Sequence, residues 1–61
     1  MNKEFLLSPG VWKWYITDIN TLEILSDIYR LDIEKSAKIL IDIPVDLKDR
    51  PNTMIRINRI R

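Results

Sequence analysis

Apolar side chains recur at every second residue through much of this chain. Between Val11 and Thr17 an extended backbone places Trp12, Trp14 and Ile16 on one side and Val11, Lys13, Tyr15 and Thr17 on the other. Aromatic and β-branched content supports a strand there, with the tryptophan side turned to the core. Lys3–Leu7 reads as a shorter strand. Ser8-Pro9-Gly10-Val11 between them fits a type II turn, with proline fixing φ at its second position and glycine supplying positive φ at its third. Near the end, Met54–Ile60 alternates again, with Ile55 and Ile57 opposite Met54, Arg56 and Asn58.

The middle of the chain carries a different period. Asn20 and Glu23 have the spacing of a capping box, and a helix starting there lines up Leu22, Leu25, Ile28 and Tyr29, flanked by Ile24 and Leu31. Residues 32–44 fit two patterns. As helix, Ile33, Ala37, Leu40 and Ile41 align; as strand, Ile39, Ile41 and Ile43 point inward between Lys38 and Asp42 until Pro44 stops it. Isoleucine density favours the strand. The preferred layout is therefore a helix over 21–36, a strand over 38–43, a loop at Pro51-Asn52-Thr53 and a last strand.

That order predicts an α+β fold: an antiparallel sheet of three or four strands with one helix packed across it, in β-β-α-β-β order. A helix-turn-helix is the rival, with helices Leu22–Leu31 and Ile33–Asp42, but its turn would hold Arg30 where glycine is usual.

Sixty-one residues make one small domain, 1–61, near the lower limit for folding alone. The chain has no cysteine and no histidine, which removes disulfides and the usual zinc ligands. Oligomerisation is the remaining route to added stability, so a homodimer and a monomer are expected equally. No apolar run exceeds three residues, which predicts neither a membrane span nor a signal-peptide core and points to the cytoplasm. Eleven isoleucines without a single glutamine suggest an AT-rich genome, such as that of a virus or a low-GC bacterium.

The net charge of +1 hides an uneven distribution, with acids in excess over residues 20–47 and bases in excess over residues 48–61. Arg56, Arg59 and Arg61 fall within the last alternating segment, and Lys48 and Arg50 precede it. If that strand lies beside Val11–Thr17, Arg56 and Asn58 share an outer face with Lys13 and Tyr15, and Arg59 joins them only where a bulge or the strand's end breaks the alternation. Such a patch suits phosphate or a carboxylate-rich protein surface. The plainer alternative is a charged edge strand that discourages pairing with other chains.

Asp42, Asp46 and Asp49 lack the spacing and the glycine of a calcium loop. With no thiol, no histidine base and a single glycine, nothing here supports catalysis or a phosphate loop, and neither cofactor nor metal is expected. The sequence thus points to a non-enzymatic interaction module that docks on a larger protein with an acidic surface to regulate or inhibit it, as small viral proteins do in a host cytoplasm. The alternative is a small nucleic-acid-binding protein using the basic C-terminal strand. Both use Lys13, Tyr15, Lys48, Arg50, Arg56, Arg59 and Arg61.

Overall fold

The computed structural model describes residues 2–61. It consists of strands β1 (Asn2–Leu7), β2 (Gly10–Asp18), β3 (Tyr29–Ile33) and β4 (Ala37–Asp42), a single helical turn α1 (Val45–Lys48) and strand β5 (Thr53–Arg59). β1 pairs with β4, and β2 lies between β3 and β5, all antiparallel. The fold is all-β, which overturns the expected helix across a sheet.

The four strands β1 to β4 form one long bent ribbon. Leu7 faces Ala37 on one side of the corner and Gly10 faces Ile33 on the other, with two residues between them in one strand and three in its partner. This unequal spacing acts as a bulge, and it turns the ribbon so that its two halves form separate sheets. Ser8-Pro9-Gly10 is therefore the corner of a continuous strand pair, not the tip of the hairpin expected from a type II turn. Proline suits this place because its missing N–H interrupts no ladder.

The predicted helix over 21–36 is absent. Asp18 takes the capping role expected of Asn20, accepting hydrogen bonds from the amides of Asn20 at 2.8 Å and Thr21 at 3.0 Å. Leu22 sits at φ 63, a conformation foreign to a right-handed helix. The loop then runs back along β2, where the Leu25 amide reaches the Ile16 carbonyl at 2.7 Å.

From Tyr29 onward, Tyr-Arg-Leu-Asp-Ile alternates as strictly as any segment of the chain. Extended, it places Tyr29 opposite Trp14 and Leu31 opposite Trp12, and the Trp14 and Tyr29 rings stack with centroids 4.5 Å apart. A helix cannot offer both contacts together with the ladder. The helix-turn-helix falls with it, since residues 33–42 divide between β3 and β4. Within the ambiguous stretch, strand was the better choice: β4 places Ala37, Ile39 and Ile41 inward.

Leu7, Ile16, Ile41 and Leu47 are the buried apolar residues among those described, so both sheets and α1 each contribute to the core. It is a thin core. Ten large apolar side chains remain substantially exposed among the described residues, from Leu6 to Ile60. The radius of gyration is 11.9 Å, whereas a compact chain of this length has about 10.5 Å. No helix among the described residues is long and apolar enough to cross a membrane.

Candidate contact surface

The two faces of the three-stranded sheet differ in chemistry, and the pairing register assigns each residue to one of them. One face carries Trp12, Trp14 and Ile16 from β2, Tyr29 and Leu31 from β3, and Ile55 and Ile57 from β5. This is the core side, as the alternation of β2 predicts. On the other face Lys13 lies between Arg30 of β3 and Asn58 of β5, and Tyr15 lies beside Arg56. The Asn58 side-chain amide donates to the Tyr15 hydroxyl at 3.3 Å, tying the row together.

The expected grouping of Lys13, Tyr15 and Arg56 on one face therefore forms, each side chain partly buried. Arg30 joins them, which the sequence reading missed because it placed Arg30 on a helix. The signal that could have found it is the charged and apolar alternation of Tyr29–Ile33. Arg30 is not a free cation, since its Nε meets Asp32 Oδ1 at 3.1 Å. The row consequently holds three bases with one acid at its border.

The ends of the same face are apolar. Thr17 pairs with Ile24 on one side and Met54 on the other. Both flanking side chains are exposed, while Thr17 is buried and its hydroxyl has no hydrogen-bond partner. At the opposite end the Ile60 amide donates to the Val11 carbonyl at 2.7 Å, and the Ile60 side chain is half exposed.

Arg61 lies beside Val11, while Arg59, Lys48 and Arg50 lie elsewhere. No bulge interrupts β5, so Arg59 opposes Trp12 on the core side, its guanidinium 5.8 Å from that ring's centroid. Its Nε also donates to the Arg61 carbonyl at 2.7 Å, and that carbonyl accepts from the Val11 amide at 3.3 Å. Lys48 belongs to the last turn of α1. Arg50 follows that turn, and its guanidinium comes within 3.9 Å of Asp18 Oδ2.

The Asp18 turn sits at one end of β2, beyond Thr17. The Thr21 and Asn20 amides, with a smaller contribution from Arg50, hold its carboxyl below the usual carboxylate range. A group whose folded value is depressed stabilises the fold above its unfolded pKa and loses that contribution as pH falls through the folded value. Urea unfolding is accordingly expected to show stability dropping below about pH 4, with a shallower drop in Asp18→Asn. An equally steep drop in both would remove Asp18 as the cause.

Two clefts flank the sheet. One of about 300 Å³ runs between β1 and β5 over Ile16, with Phe5, Ile43 and Ile55 among its walls and Lys3 and Thr53 contributing polar groups. The second, about 410 Å³, is more polar and lies between residues 24–29 and α1. Among the described residues no cluster of acids has the arrangement to hold a metal ion.

The chemistry available on the basic face is recognition. Three cations and a phenol on a rigid sheet can meet carboxylates or phosphates, and exposed aliphatic groups at both ends can exclude water from the contact. No family model, curated protein or solved structure matches the chain.

Proposed function

We propose that this chain is a non-enzymatic interaction module of the cytoplasm that docks on a larger protein and regulates or inhibits it. The basic face of the three-stranded sheet would meet an acidic surface. One observation carries the proposal: the row of Lys13, Arg30 and Arg56 with Tyr15 is bounded at both ends by exposed apolar side chains, Ile24 and Met54 at one and Ile60 at the other. In composition the surface resembles a protein contact, where arginine, tyrosine and methionine are enriched and exposed apolar groups accompany the charges. A phosphate-tracking groove would instead extend the positive charge along its length.

Nucleic-acid binding is the second reading, favoured by Tyr15 lying beside Arg56 on one sheet face. Salt separates the two. Three phosphate contacts give a slope of about −2.7 against log salt, so duplex affinity would fall about 40-fold between 50 and 200 mM.

A photo-crosslinking amino acid in place of Tyr15 tests the proposal inside cells of the source organism or its host. The expected result is a discrete adduct with one protein species, lost when Lys13 and Arg56 are changed to alanine. Fluorescently labelled DNA and RNA oligomers should show no saturable binding at 50 mM salt. Oligomer binding that collapses with salt and disappears in the same double variant would replace protein docking with nucleic-acid recognition.

A further inference from the structure

The two outward sheet faces can be sorted by whether each could meet its own copy. The basic face is unsuited, because two copies face to face bring together two sets of Lys13, Arg30 and Arg56 with only Asp32 of each to offset them. The outer face of the β1–β4 ribbon is different. Glu4 lies opposite Leu40 and Leu6 opposite Lys38, so the four side chains form a rectangle with leucines on one diagonal and opposite charges on the other. Leu6 is 75% exposed and Leu40 61%. Lys38 and Glu4 approach to 3.6 Å along the charged diagonal, and both remain open to solvent.

We propose that this face is a homodimer interface, with a two-fold axis running along the leucine diagonal. Such an axis stacks Leu6 on Leu6 and Leu40 on Leu40 of the second copy. It also places each Glu4 against the other copy's Lys38. The interface is isologous and self-complementary, as two-fold contacts must be.

The geometry fits known sheet packing. With strands about 4.8 Å apart and same-face neighbours about 6.8 Å apart, the diagonal is tilted by about 35° from the strands. The two ribbons then cross at about 70°, close to the orthogonal class. Ser8 and Ser36 border the face at the corner, giving the contact a polar rim. No other axis in the plane of this rectangle matches both diagonals. One along the charged diagonal sets Glu4 on Glu4, and one parallel to the strands sets leucine on charge.

The surface is small. A two-stranded ribbon falls well short of the roughly 800 Å² per partner of a standard stable interface, so the dimer should be concentration-dependent. This contact leaves the basic face free, and its failure would leave the protein-docking proposal untouched.

Sedimentation equilibrium across a range from micromolar to millimolar tests it. The expected result is an average mass that rises from 7.3 kDa towards twice that value for the wild-type chain. Glu4→Lys and Lys38→Glu should each raise the dissociation constant at least tenfold while native tryptophan fluorescence is retained. An equimolar mixture of these two variants should dimerise again, because each supplies the charge the other lacks. That recovery separates a contact between copies from the pair within one chain. A wild-type chain that stays monomeric, variants that dimerise unchanged, or a mixture that does not recover would each overturn the proposal.

Discussion

Replacing Ile16 with alanine is expected to remove about 2–5 kcal/mol of folding stability. A chain of this length has about 3–9 kcal/mol in total. The single change should therefore remove a large fraction of the domain's stability. Ile16 is 1% exposed, the most deeply buried large side chain described. It faces Ile55 across the β2–β5 ladder and forms the floor of the cleft beside β1.

Alanine would extend that cleft towards the space between Phe5, Ile43 and Ile55. With so few fully buried residues, no second cluster can compensate. Urea titration followed by tryptophan fluorescence provides the measurement, and Val45→Ala is the control. Val45 is 84% exposed, so its truncation should change stability by less than about 0.5 kcal/mol. Equal effects from the two substitutions would mean that the core has been placed wrongly.

Gly10→Ala is expected to cost about 1–3 kcal/mol, for two reasons. Gly10 has φ +151, where an L side chain is strained. A Cβ built there also lies 2.8 Å from the Arg61 carbonyl oxygen and 2.9 Å from Arg59 Nε. Relief would require the end of the chain to leave Val11 and Arg59 to leave its seat above Trp12. The loss should appear as a lower melting temperature and a changed Trp12 emission.

Chemical synthesis of the chain with D-alanine at position 10 tests both causes at once. The D residue accepts positive φ and projects its methyl to the opposite side, so it should retain most of the stability that L-alanine loses. A D variant as unstable as the L variant would rule out both explanations together.

The contact surface was partly legible for a simple reason. Lys13, Tyr15, Arg56 and Asn58 are related by the fixed two-residue period of a strand, so once β2 and β5 are neighbours, their shared face is determined. The same period placed Arg59 on the core side unless a bulge intervened, and none does. Arg30 was hidden because Leu22, Leu25, Ile28 and Tyr29 satisfy a helical stripe, and that stripe was given more weight than the shorter alternation from Tyr29 to Ile33. The separation of Lys48 and Arg50 from the patch could not be read locally. It follows from the path of the chain through α1 back to the Asp18 turn.

By itself the sequence determined the approximate positions of four of the five strands and the inward faces of β2 and β4, because alternation and β-branched content are properties of each segment alone. It also identified Gly10 as a position needing unusual backbone freedom, though not the corner that uses it. Only the tertiary structure decided which strands pair. β1 joins β4 rather than its chain neighbour β2, and β3 forms where a helix was expected. Segments 19–33 satisfy both periods weakly. The choice between them rests on partners distant in the chain: Trp12 and Trp14 present an apolar edge that a strand can cover residue by residue, and a short isolated helix cannot match that burial and hydrogen bonding together.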